Sequence, residues 1–146
     1  MDAFWPANLH GRLALIILTD QMSRSIYRED KRAFQYDHIA QRLSKEILEQ
    51  ESNMELFLLY RHFEMMFFLM PLLHSENITD VRLCVKKMEQ IKKLVGNESV
   101  ESFIENYLGF ANDHIEILEK FQRYPHRNAV LGRESTPEEL EFLEES

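Results

Sequence analysis

The sequence has 146 residues, 45% of them apolar with ten Phe and seven Met, which suits a single domain around one continuous core. A formal net charge of -8 argues against a nucleic-acid binder, whose phosphate contacts need a basic face. The lone cysteine, Cys84, cannot form an internal disulfide, and residues Met1 to Asn8 carry neither a charged leader nor an apolar signal core, so a cytoplasmic location is expected.

With four Gly and four Pro, and with few alternating apolar stretches, the chain reads as all-α. The first helix is expected from Gly11 to Ser23. It places Leu13, Ile16, Ile17 and Asp20 on one stripe, which Ala14, Leu15 and Leu18 widen into a largely buried face. A second, from Ala33 to Gln50, buries Tyr36, Ile39, Ala40, Leu43 and Ile47 and leaves Gln41, Arg42, Lys45 and Glu49 for water.

The third opens after the cap Asn53 and is apolar nearly all round from Leu56 to Met70, which marks it as the central helix, with His62 and Glu64 as a satisfied pair inside it. Pro71 ends it or sits in its last turn. No apolar stretch in the chain approaches the roughly 20 residues a membrane span needs, so no membrane partner is expected.

The fourth helix runs from Asp80 to a stop at Gly96. Its buried stripe is Val81, Cys84, Val85, Met88, Ile91 and Val95, and Lys86, Lys87, Lys92 and Lys93 form its solvated face. The fifth, from Val100 to Phe121, keeps the spacing with Phe103, Ile104, Tyr107, Leu108, Ala111, Ile115, Leu118 and Phe121. A short sixth begins with Thr136 as cap, Pro137 at the first helical position and Glu139 returning the capping-box bond.

In an antiparallel array of these six helices, the connections after the first, third and fifth share one end. That end collects Arg24, Arg28, Lys31 and Arg32, then His74, Ser75 and Glu76, then Arg123, His126, Arg127, Asn128 and Arg133. The last connection, Gln122 to Ser135, spans 14 residues where helix-to-helix links usually take about 2–8, and long ordered loops are more often functional. Arginine forks suit carboxylate or phosphate, and histidine moves protons near neutral pH. Arg24, Arg28, His74, Glu76, Arg123, His126, Arg127, Asn128 and Arg133 are therefore the candidate ligand-binding residues. The competing reading is internal neutralisation by Asp20, Glu29, Asp30, Asp37, Glu76 and Glu134, with His74 capping the central helix, His126 pinning the loop, and Tyr124 and Pro125 packing it down.

No Glu stands three residues before a His, and one cysteine cannot make a thiolate zinc site, so no metal is expected. Glycine-rich phosphate loops, nucleophile elbows and dinucleotide fingerprints are missing as well, so no cofactor and no common enzyme class is signalled.

The segments Leu13 to Arg28, Pro71 to Glu76, Arg123 to Asn128 and Leu131 to Glu139 together resemble family 924 of the domains of unknown function, a mainly bacterial and uncharacterised family. The resemblance spans nearly the whole chain. It implies a tetratricopeptide-like right-handed superhelix over residues 1–146, with no agreed substrate or catalytic residue to carry over. The chain departs from the family pattern in having Met22-Ser23 where Phe-Pro is usual, and in lacking the family's longer N-terminal helical segment. The fold analogy favours a binding or scaffold module for a protein or peptide. The alternative is a binder of, or enzyme for, a small anionic metabolite, and a bared first face would favour a homodimer.

Overall fold

The structure, a computed structural model, describes residues 8–50 and 61–145. The expected cap Asn53 and the His62 side chain lie outside the described residues, and the central helix begins at His62 after an extended Arg61 instead of running unbroken from Leu56 to Met70.

Helix α1 (Leu9–Ile16) starts at Asn8, whose side chain accepts from the Gly11 amide at 2.8 Å, satisfying one of the free N–H groups of a first turn. It passes without a break through a π-helical stretch, Ile17–Met22, into α2 (Ser23–Ile26). The wider turn is visible in the Ser23 hydroxyl, which donates five residues back to the Leu18 carbonyl. Leu13, Ile16 and Asp20 are buried as the spacing predicts, but Leu18 is half exposed, because at about 100° per residue it lies roughly 140° around the helix from Leu13, beyond the edge of the apolar face.

The second helix begins later than expected. A 3-10 turn, Lys31–Phe34, is capped by Asp30, and the backbone leaves helical geometry at Tyr36 before α3 (Asp37–Leu48). Tyr36 therefore stands exposed outside the helix instead of on its buried stripe, while Ala40, Leu43, Ile47 and Leu48 are buried.

Helix α4 (His62–Leu73) holds Pro71 inside its last turn and buries Met65, Met66, Phe68, Leu69, Leu72 and Leu73. It packs against α1, α3 and both helices that follow, the central position its apolar sequence predicts. Glu64 is spent on the helix start, accepting from the Arg61 amide at 2.9 Å.

Helix α5 (Ile78–Val95) opens at the cap Asn77 and stops where Gly96 turns left-handed at φ 55°. Of its expected stripe Val81, Cys84, Met88 and Ile91 are buried and Val85 and Val95 partly so, while Lys87 is buried too and leaves the predicted solvated face. Helix α6 (Glu98–Phe121) is capped by Asn97, pairs along its length with α5, and buries Ile104, Ala111 and Leu118. The 14-residue connection is not an open loop. It holds a 3-10 turn, Pro125–Arg127, and a short helix α7 (Asn128–Leu131).

Helix α8 (Pro137–Glu145) then begins on the predicted capping box. The Thr136 hydroxyl accepts from the Glu139 amide at 3.2 Å, and the Glu139 carboxylate accepts from the Thr136 amide at 2.8 Å. Among the described residues there is no strand, and no helix is long and apolar enough to cross a membrane.

Candidate functional site

Three carboxylate-centred networks occupy the basic end. In the first, Arg24 forks onto Asp37 with two bonds of 2.8 Å and also reaches Asp20 at 2.9 Å, one turn back on its own helix. Asp20 in turn accepts from His74 Nδ1 at 2.8 Å. Burial pushes the Asp20 carboxyl up, but the bond from His74, the charges of His74 and Arg24 and the Gln21 amide together hold it below the usual carboxylate range.

In the second, Arg133 forks onto Glu76 at 2.7 and 2.9 Å, Glu76 accepts the Tyr124 amide at 2.7 Å, and Arg133 also donates to the Tyr124 carbonyl. Here again burial works to raise the carboxyl, and the Arg133 and Tyr124 donors prevail and lower it. In the third, Arg123 forks onto Glu139 at 2.6 and 2.7 Å, and Asn128 donates to the same carboxylate. The Arg123 bonds hold Glu139 down to about 2. Glu134, expected as a neutralising charge, supplies only its backbone carbonyl to Arg123.

Arg127 stands between these networks and belongs to none. Its side chain is buried, with the residue 8% exposed, yet it forms no ion pair or hydrogen bond among the described residues, and Nε is a buried donor without an acceptor. Its guanidinium carbon lies 4.9 Å from the Phe34 ring centroid and 4.7 Å from that of Tyr124, so two aromatic faces hold it. Burial, with the neighbouring Arg24 charge second, pulls its pKa below the ordinary arginine value. The charges of Glu76 and Asp37 act on it only from a distance, and a buried cation with no acid in direct contact is costly, since in native proteins such groups are normally paired.

Tyr124 is the hub of the site. It is fully buried and donates from its hydroxyl to the Leu73 carbonyl at 2.9 Å, as a residue packing the loop down would. Burial pushes that hydroxyl's pKa up. His126 stacks on its ring at 5.6 Å and His114 meets it edge-on at 5.1 Å. Burial lowers the pKa of both imidazoles, and the Arg127 charge adds to it. The His126 residue is exposed overall, but its ring is partly desolvated where it stacks on Tyr124, and among the described residues that contact replaces the expected backbone bond pinning the loop.

Of the nine candidate residues, the contacts join Arg24 to Arg127 through Phe34, Glu76 to Arg133, and Arg123 to Asn128 through Glu139, with His74 and His126 alongside. Arg28 is exposed and takes part in none of these contacts. His74 caps its helix through its backbone amide, which donates to the Met70 carbonyl, while its ring serves Asp20. Sequence reasoning missed Phe34 and His114, which offer no motif, and missed Glu139's role as the partner of Arg123 and Asn128. Among the described residues no group of His, Cys, Asp or Glu is arranged to hold a metal ion.

A comparison with curated proteins finds no match. Among solved structures, that of a protein of unknown function from Agrobacterium tumefaciens, ATU0120, is 28% identical. The similarity covers 99% of this chain and 73% of that one, with a TM-score of 0.77. The family model for bacterial proteins of unknown function, DUF924, matches residues 1–146, and the chain belongs to that family.

Proposed function

We propose that the protein binds a small anion at its basic end, with Arg127 as the anchor. One observation carries this reading: Arg127 is a buried guanidinium held by two rings with no carboxylate bonded to it among the described residues, while Arg24, Arg123 and Arg133 are each forked by an acid. A carboxylate or phosphate oxygen on Arg127 would supply the missing partner. The reading needs no metal and no cofactor. A reducing, cytoplasmic setting suits the buried Cys84 thiol.

A second reading, a scaffold for a protein or peptide or for a second copy of the chain, is favoured by one surface feature. Leu18, Met22 and Ile26 are 49%, 42% and 64% exposed, and they follow one another at four-residue spacing along the first helical rod. The tetratricopeptide-like architecture that the family resemblance implies would fit such a role.

Thermal unfolding against a panel of carboxylates and phosphates at fixed salt separates the two. A ligand at 100 times its dissociation constant adds about 2.7 kcal/mol of stability. The anchor reading expects that gain in wild type and its loss in Arg127→Ala. An equal gain in both proteins would sink it.

A further inference from the structure

Asp20 and His74 come from sequence positions 54 apart and meet through a single bond of 2.8 Å between Oδ1 and Nδ1. Asp20 is 1% exposed and already serves Arg24, so its carboxylate accepts and the imidazole nitrogen facing it carries the proton. In the neutral ring this leaves the lone pair on Nε2. That atom has no hydrogen-bond partner among the described residues, and the His74 side chain keeps 19% of its surface open. A carboxylate behind Nδ1 and an unoccupied Nε2 in front is the arrangement by which a histidine is oriented to take a proton.

The dyad and the Arg127 anchor share neighbouring side chains. Tyr124 donates to the carbonyl of Leu73, the residue before His74, and its ring face carries Arg127. His114, edge-on to the same ring, feels the charges of both His74 and Arg127. On the other side, Asp20 binds Arg24, which shares the Phe34 ring with Arg127. The two routes close a circuit of side chains in which neither Nε2 nor the Arg127 guanidinium has a hydrogen-bond partner among the described residues. The π-helical stretch falls at Asp20, and such stretches recur at functional sites.

We propose that His74 is a proton acceptor for the anion held at Arg127, with Asp20 as its positioning residue, so that the ligand is an oxyanion that also carries an O–H donor. This rests on the anchor reading. Hydrogen phosphate and hydroxy acids share that chemistry, and a plain carboxylate lacks it. In the transfer, the ligand O–H bond breaks, an Nε2–H bond forms, the electron pair stays on the ligand oxygen, and the imidazolium so made lies against the Asp20 carboxylate.

The test is nitrogen NMR of the His74 ring in the whole protein, with the ring neutral, before and after adding inorganic phosphate, glycolate or acetate. The Arg127 Nε–H signal is followed in parallel. Expected first is the tautomer protonated at Nδ1, lost in Asp20→Asn. Expected next is a shift of Nε2 with phosphate, glycolate or both, none with acetate, and none with any of them in Arg127→Ala. The wild-type tautomer alone decides the first point should Asp20→Asn fail to fold. A ring protonated at Nε2 overturns the proposal, and so does an Nε2 signal that stays still while Arg127 responds to phosphate or glycolate. If the Arg127 signal moves with none of the three anions, the anchor reading falls, and this proposal with it.

Discussion

Arg24 and Arg127 share the ring of Phe34, their guanidinium carbons 5.4 and 4.9 Å from its centroid, yet among the described residues only Arg24 has acids in direct contact with it. Two like charges on one aromatic side chain repel, and the cost falls on the one without a counter-charge. The two arginines should therefore respond in opposite ways to the same substitution.

Arg24→Met leaves Asp20 and Asp37 without their shared cation. We expect a loss of about 2 kcal/mol, below the ~3–5 kcal/mol of a fully buried pair because the Arg24 side chain keeps 21% of its exposure. Arg127→Met removes an unpaired buried charge while keeping apolar contact with both rings, so stability should stay within about 1 kcal/mol of wild type or rise. Urea unfolding of the two variants checks this, and a large loss in Arg127→Met would show that its charge is part of the folded framework.

Acid should unfold the protein progressively. Asp20, Glu76 and Glu139 all have folded values below their ordinary ones, so the unfolded chain takes up protons first and stability falls as pH drops. Glu139 alone extends that window from its ordinary 4.5 down to about 2. His114 and His126, also lowered, act in the same direction: the unfolded rings gain protons from about pH 6.5 downward while the folded ones resist. Urea midpoints should thus be level between about pH 7 and 8, fall slightly towards pH 5, and fall steeply below about pH 4.5. A midpoint that rises on acidification would contradict the assignment.

Cys84 should be silent in the native state. It is fully buried, its thiol pushed up to about 12 by burial, and it donates only to the Leu69 carbonyl. An aromatic disulfide reagent should label it at the rate of unfolding, and full exposure in urea should bring immediate reaction.

The last helix hangs on Glu139. Thr136→Ala removes one capping bond and should cost about 1 kcal/mol. Glu139→Ala removes the Arg123 fork, the Asn128 bond and the Thr136 amide bond together, so it should cost more and free α8 selectively. Amide exchange should then quicken in α8 while α4 keeps its protection.

Periodicity was enough for the helices because apolar spacing and caps act within a few residues. Gly96 and the Thr136–Glu139 box lie where such signals put them. Tyr36 escaped because its spacing fits the helix that begins one residue later. Lys87 escaped because its burial depends on neighbouring helices, which spacing does not encode, whereas Leu18 was counted into the apolar face although helical spacing puts it past that face's edge. At the basic end, helix order was enough to gather the arginines. Which arginine lacks an acid depends on pairs such as Arg123 with Glu139 and Arg133 with Glu76, and those are set by the three-dimensional course of the connection after α6.

A π-helical turn amounts to one residue added to an α-helix, and adding a residue rotates everything beyond it by about 100°. The stretch at Ile17–Met22 thus sets the heading of Arg24 relative to Leu13 and Ile16. Deleting one residue there would leave a regular helix with its apolar anchor intact and swing Arg24 away from Asp37. A lineage could in this way gain or discard the charged end in a single genetic step while keeping the scaffold.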